Sequence, residues 1–347
     1  MKVTHRTGRR MIASVRFENY KSLKGTTLPL GAFTLLVGPT GAGKSTALRA
    51  LQELWRPGSR EHDAIATLTS KDQRTQKTQV EVQWGGPWAE WNTLFEWVPG
   101  SSTAFNRKAK VRCDPPPEIL HPTSQFLRDI RLYALDASRI QATGPVKPGL
   151  ELSTDGGNLV SVLEQLHEKD EERWEALTEE YCRWLPEFDR ILFDTPDTGQ
   201  KLLLFRTRSG RCKIRADEMS HGCLLALALL TLAYLPKPPS LVALEEPDRG
   251  IHPRLLRDVR DAMYRLSHPE ASGVERPAVQ VVAVTHCPYL LDLFKDHPEE
   301  IVIANKVDRF VEFQRLTDHP NVQDILGDSS LGEAWYSGIL GGVPSTP

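Results

Sequence analysis

Apolar and polar positions alternate over residues 12–17 (Ile-Ala-Ser-Val-Arg-Phe), the two-residue period of a half-buried strand. A short apolar strand at 33–37 runs into a glycine-rich stretch. After it, Ala47, Leu48, Ala50, Leu51 and Leu54 recur with helical spacing until Pro57 and Gly58. Val80, Val82 and Trp84 mark another alternating segment over 78–84, and 93–98 repeats it more weakly, which predicts antiparallel strands. Residues 58–78 are polar and are read as a loop with a short helix. Residues 99–125, with Pro115, Pro116 and Pro117, are read as an irregular excursion, and 130–135 as a strand.

Asn158 is placed as the cap of a helix carrying Leu159, Val162, Leu163 and Leu166 on one side. The next helix shows Trp174, Leu177, Tyr181 and Leu185 on one face. Its other face carries Glu168, Asp170, Glu171, Glu172, Glu175, Glu179 and Glu180, read as a solvated surface. Strands near 190–194 and 201–207 make a hairpin. The greasy run from Cys223 to Leu235, 13 residues long, is a buried helix too short to span a bilayer. Buried strands at 240–244 and 279–285 flank a helical stretch at 253–266. This strand–helix–strand order predicts parallel α/β packing. No linker divides independent domains, so the insertions are read as parts of one body. Within it, 1–154 forms an N-terminal lobe with an antiparallel β-subdomain, 155–215 a helical lid with a hairpin, and 216–347 a C-terminal lobe.

Composition narrows the class. The 347 residues are 40% hydrophobic and 25% charged, with a formal charge of -2, which excludes an overall polybasic coat. Residues 1–24 nonetheless hold seven lysines and arginines against one acid, and Arg107, Lys108, Lys110 and Arg112 form a second basic cluster. Both could meet duplex DNA phosphates without reading sequence, or serve as ordinary solubilising surface. Five cysteines without a C-x-x-C pair argue against a disulfide scaffold or a cysteine zinc site and fit a reducing compartment. No signal peptide or membrane span is expected, and the location is read as cytoplasmic.

Gly38-Pro39-Thr40-Gly41-Ala42-Gly43-Lys44-Ser45 fills every fixed position of G-x-x-x-x-G-K-[ST], between a strand and a helix. Glycines let successive N–H groups turn toward phosphate oxygens, and the helix beginning near Thr46 presents its N-terminus to the same charge. Lys44 is placed to reach the β- and γ-phosphates and Ser45 to ligate Mg²⁺. The motif specifies a nucleoside triphosphate, not which one. The strand at 240–244 runs directly into Glu245 and Glu246. Alone, such a pair could be a strand end meeting solvent. Below a complete phosphate loop it reads as a metal ligand, Glu245, beside a water-polarising base, Glu246. His286, after the valine-rich strand, reads as a γ-phosphate sensor or as a residue satisfying a turn. No ligand spacing supports zinc.

In this order the motifs resemble the ATP-binding cassette heads of the RecF, SMC and OLD group over nearly the whole chain. Residues 17–23 (Phe-Glu-Asn-Tyr-Lys-Ser-Leu) look like the group's opening strand. Met219-Ser220-His221-Gly222 looks like its signature, with Ser220 and Gly222 at the diagnostic positions. Glu245-Glu246-Pro247 looks like Walker B with the catalytic glutamate, Gly250-Ile251-His252-Pro253 like the segment that includes the D-loop, and Thr285-His286-Cys287-Pro288 like the switch-histidine segment. Residues 331–338 look like the tail of compact single-head members.

The resemblance implies ATP and Mg²⁺ as cofactors and a head-to-tail homodimer in which each phosphate loop faces the other copy's Ser220. It implies ATPase chemistry by Lys44, Glu246 and His286, and a role in DNA repair or anti-phage defence. Long coiled-coil arms are absent between residues 55 and 219, and Gln125 and Gln141 are the candidates for the Q-loop. The 61 residues after His286 are too few for the Toprim nuclease domain of OLD-type proteins, so any nuclease chemistry is expected from a separate protein effector. A transporter subunit fits poorly, because 176 positions separate Lys44 from Ser220. A scaffold that uses ATP only to hold a dimer is the remaining alternative.

Overall fold

The computed structural model describes residues 9–53, 77–97, 110–111, 117–145, 151–197, 199–273, 276–307, 310–328 and 330–341. The chain divides into two compact units. The first joins residues 1–130 to 280–347 and the second is 131–279. These cuts differ from the three segments expected from sequence.

The first unit opens with β1 (Met11–Glu18), β2 (Thr26–Pro29), β3 (Phe33–Val37) and α1 (Lys44–Glu53). β4 (Thr78–Gly85), β5 (Asn92–Trp97), β6 (Lys110–Val111) and α2 (Pro117–Arg128) follow. An antiparallel sheet runs β2-β1-β4-β5-β6. Its register sets Val15 opposite Val82 and Phe17 opposite Val80, so the alternating apolar residues share one face. On that sheet Trp84 meets Trp88 and Phe126 edge to face, at centroid separations of 5.2 and 5.6 Å. Phe126 belongs to α2, which replaces the end of the irregular stretch expected over 99–125. Pro117 suits a first helical position. Behind the internal Pro122, the Thr123 hydroxyl donates to the carbonyls of Ile119 and Leu120 at 2.7 and 3.1 Å. The expected loop over 58–78 lies almost wholly outside the described residues, as do the side chains of the 107–112 basic cluster.

β7 (Ile130–Tyr133) begins at the boundary and continues into the second unit, which then holds α3 (Ala137–Ile140), β8 (Gly144–Pro145), α4 (Leu159–Lys169) and α5 (Glu171–Trp184). β9 (Phe188–Asp197) and β10 (Gln200–Thr207) make the expected hairpin. β11 (Lys213–Arg215), α6 (His221–Tyr234), β12 (Leu241–Glu245) and α7 (Leu256–Ser267) complete the unit. β10 carries β9 along one edge and both β8 and β11 along the other. β12 lies beside β7. α6 is apolar all round and buried all round, as its 13-residue run requires.

Two local expectations fail in this unit. Asn158 makes no side-chain cap. Its Oδ1 accepts from Ser153 N at 2.8 Å and its Nδ2 donates to the Glu151 carbonyl at 2.9 Å, tying down the preceding loop. Glu180, read as solvated, is buried instead. Its Oε2 accepts from Arg265 Nη1 and from the Tyr234 hydroxyl, both at 2.6 Å. Burial, then Glu180, pushes the Tyr234 phenol up to about 12.

The chain returns to the first unit with β13 (Gln280–Val284), α8 (Pro288–Asp292), β14 (Ile301–Val307), β15 (Phe310–Arg315), α9 (Val322–Asp328) and α10 (Leu331–Tyr336). β3 is inserted between β13 and β14 and runs parallel to both. All five β3 residues are buried. Gln280 staples the return: its Oε1 accepts from Ile12 N at 2.9 Å, and its Nε2 donates to the carbonyls of Ile12 and Gly31 at 2.7 and 2.8 Å.

Candidate functional site

The glycine loop leaves the carboxyl end of β3 and enters α1 at Lys44, the strand–loop–helix setting its chemistry requires. Its glycines are not interchangeable with alanine. Gly38, Gly41 and Gly43 have φ of 147°, 81° and 76°. A Cβ on Gly38 would lie 2.3 Å from the Ala304 carbonyl oxygen, and one on Gly43 2.9 Å from Leu23 Cδ2. Gly41 has open space around it, on the exposed side of the loop with Thr40. Ala42 N donates to Pro39 O at 3.2 Å and Ala47 N to Gly43 O at 2.9 Å, closing the loop onto the helix. The first-turn N–H groups of α1, through Ser45 and Thr46, have no intrahelical acceptor. They form with the loop a cradle for anionic oxygens. Lys44 is 4% exposed and its Nζ donates to the carbonyls of Gly38 and Pro39, both at 2.8 Å.

His286 belongs to the same unit. β13 pairs with β3 in parallel with Val284 opposite Leu36, and Thr285 N donates to Leu36 O at 3.2 Å. Continued two residues, that register sets His286 level with Gly38. The buried Thr285 hydroxyl accepts from Cys287 N at 2.9 Å and fixes the turn after the strand. Trp335 of α10 backs the imidazole at a ring separation of 6.5 Å. Gly332 permits that approach, since its Cβ would lie 2.7 Å from Pro288 Cβ. The 331–338 tail was visible in sequence, but its packing behind His286 was not.

In the second unit, Ser220 is the N-cap of α6. Its Oγ accepts from Cys223 N at 3.3 Å and stays exposed at the helix start. Gly222 is buried because the backbone of Gly250 passes over it; a Cβ would lie 2.2 Å from the Gly250 oxygen. The signature glycine therefore rests on the turn that follows the carboxylates. Glu245 ends β12 half-buried, and Glu246 is exposed in the left-handed region with φ 48°. Arg249 N donates to Glu246 O and Ile251 N to Asp248 O, at 3.0 and 3.1 Å. A left-handed glutamate costs about 1–2 kcal/mol, a strain concentrated at the residue read as the base. No sequence signal marks it. Gln125 is exposed on α2 and Gln141 follows α3 as its C-cap.

Ser45 in the first unit and Glu245 in the second each offer oxygen, the donor type of a hard cation, and no cluster of three or more His, Cys, Asp or Glu ligands occurs among the described residues. One or two side-chain oxygens with substrate phosphates is how Mg²⁺ is held, whereas zinc prefers nitrogen and sulfur. Among the described residues, no helix is long and apolar enough to cross a membrane.

Comparison with solved structures identifies the fold. A SmcHead in a crystal structure bound to the C-winged helix domain of ScpA superposes with a TM-score of 0.59 at 16% identity, over 88% of this chain and 97% of that one. The Pyrococcus furiosus Smc head domain with an extended coiled coil, bound to the C-terminal domain of ScpA, gives 0.59 at 14% identity, over 92% and 100%. The Thermotoga maritima SMC head domain gives 0.50 at 13% identity, over 89% and 99%. At such identities the likeness is one of fold: an α/β P-loop architecture of SMC-head type, as the motif order implied. No curated protein matches the sequence. A family model described as "AAA domain, putative AbiEii toxin, Type IV TA system" matches residues 115–292, a span holding Ser220, Glu245, Glu246 and His286. That span is just over half of the 347 residues, and the chain belongs to this AAA-domain family.

Proposed function

We infer that the protein is a Mg²⁺-dependent ATPase whose heads close head to tail on ATP. The phosphate loop carries this reading: a buried lysine at the start of α1, glycines held at positive φ, and first-turn N–H groups directed at one cradle. Lys44 exchanges its two carbonyl acceptors for phosphate oxygens and supplies the main counter-charge. Ser45 and Glu245 would hold Mg²⁺, which when bound would supply charge neutralisation at the phosphates. Glu246 accepts the proton of the attacking water. His286, level with Gly38, meets the γ-phosphate side of the loop. Ser220, exposed at a helix N-terminus, serves a second copy of the chain, adding a hydroxyl and a helix dipole to that copy's γ-phosphate.

The output of closure is conformational. It acts on DNA or on a protein effector such as a separate nuclease, in DNA repair or anti-phage defence; the toxin–antitoxin wording of the family description favours defence. Phosphate release from ATP tests the chemistry. Lys44→Ala abolishes tight ATP binding. Glu246→Gln keeps binding and slows turnover by about 10²-fold or more. With ATP and Mg²⁺, Glu246→Gln accumulates as a dimer by light scattering, and Ser220→Arg blocks that dimer. Unchanged turnover in Glu246→Gln removes the base assignment. A mass independent of ATP removes ligand-driven closure.

A further inference from the structure

A groove of about 930 Å³ lies between α5 and the β9–β10 hairpin of the second unit, lined by none of the residues assigned to the nucleotide site. One wall is a stripe of α5 that runs from Glu171 through Trp174, Glu175, Thr178, Glu179 and Cys182 and ends at the basic Arg183. The other wall is the unbroken run 189–194 of β9. Successive strand residues point to opposite faces, so six consecutive residues line one groove only where the strand's edge borders it. β9 pairs with β10 alone among the described strands. Alternate residues of an antiparallel strand direct N–H and C=O away from the partner, so this edge offers a ladder of backbone donors and acceptors.

The two sides of that edge differ in chemistry. On one, Trp174 meets Phe193 at 5.3 Å, which sets α5 over the Phe193 face. There Glu171, Glu175 and Glu179 are exposed, four residues apart, and form no ion pair among the described residues. Like charges at this spacing repel and destabilise a helix. On the opposite face Leu192 and Leu204 are register partners, both half-buried, and the alternation of β9 sets Arg190 and Asp194 on either side of Leu192; all four line the groove.

We propose that the groove binds an extended segment of a partner protein as an added strand on β9, with Lys or Arg at every second position facing the α5 carboxylates and apolar residues between them lying toward Leu192 and Leu204. Backbone pairing supplies the affinity and the alternation supplies the specificity.

The probe is a fluorescein-labelled, end-blocked heptapeptide of alternating lysine and valine, titrated against the full chain by anisotropy at low salt. Three results are expected. A glutamate–valine peptide binds at least about tenfold more weakly. N-methylation of alternate backbone nitrogens abolishes binding. Glu175→Lys with Glu179→Lys, both at exposed positions and with folding checked by a thermal melt, weakens the lysine–valine peptide at least about tenfold. Slowed amide exchange confined to β9 on adding peptide places the ligand independently of the variants. The proposal falls if no binding occurs up to about 1 mM, or if N-methylation or charge reversal changes nothing. It also falls if the chain self-associates through this edge and the double variant dissolves the oligomer, which would make a second copy the occupant. Lys44→Ala protein is expected to bind the peptide as the wild type does, so failure here leaves the nucleotide reading untouched.

Discussion

Gly222→Ala isolates the mechanical link between the signature and the carboxylate turn. A Cβ at 222 would sit 2.2 Å from the Gly250 oxygen, 3.1 Å from its carbonyl carbon and 3.2 Å from Ile251 Cα. All three are backbone atoms, so no side chain can swing aside. Relief requires the 248–251 turn to move by about 1 Å or more, since carbon–oxygen contacts are comfortable only near 3.5 Å. Overpacking of this kind costs about 1–3 kcal/mol, and replacing glycine within a helix returns about 0.5–1 kcal/mol. The net loss is about 1–2 kcal/mol, a shift of a few degrees in Tm. Turnover suffers more, because the turn is hydrogen-bonded to Glu246 O and a 1 Å misplacement of a reacting group costs about 10²-fold. Gly250→Ala is the control. Gly250 has φ 69° and nothing within 4 Å, so alanine there pays about 1–2 kcal/mol of strain without displacing its neighbours. Phosphate release and thermal melts of both variants decide the matter. Equal stability loss with equal turnover in the two would refute the coupling.

Other outcomes are open to measurement. Glu180→Ala leaves Arg265 and Tyr234 facing an emptied site and costs about 2–4 kcal/mol in urea denaturation, and adding Arg265→Met recovers part of it. The Tyr234 phenol is raised by burial and by Glu180, so the native state holds its proton more tightly than the unfolded chain. That contribution is complete below about pH 10 and is lost as pH rises through about 12; alkaline melts of Tyr234→Phe should lack this part of the decline. Gln280→Ala orphans Ile12 N and O and Gly31 O, at about 1–3 kcal/mol for each group that water does not reach, and lowers the denaturation midpoint.

What was legible in the sequence was whatever rests on local periodicity or on a contiguous motif. β3, α1, the β9–β10 hairpin and α6 follow their patterns, and the strand–loop–helix context of Lys44 was readable outright. Non-local partners were hidden. Glu180 looked solvated because its neighbours are acidic, yet it stands beside Tyr181 and three residues from Leu177, at the margin of the apolar stripe, where Arg265 arrives from 85 positions away. Gln280 was a polar residue at the mouth of a valine strand and could have been questioned for that alone. α2 was masked by its prolines, one of which fits the first turn while the other is tolerated behind a threonine hydroxyl. The left-handed Glu246 and the Gly222–Gly250 approach are backbone events with no compositional trace.

The insertion of β3 between β13 and β14 also dictates an order of events during synthesis. The strand that feeds the phosphate loop leaves the ribosome about 240 residues before its first parallel neighbour. At 5–20 residues per second that is a wait of roughly 12–50 s. Through it, five apolar-rich residues and the loop's buried lysine have no neighbouring strands to lie between. The 131–279 unit is contiguous, and all of it is synthesised in the meantime. Nucleotide binding is therefore a late-maturing property of the nascent chain. A released chain ending before residue 280 would hold all of the second unit's sequence and an unassembled phosphate site, and a chaperone working on this protein has the N-terminal strands as its natural client.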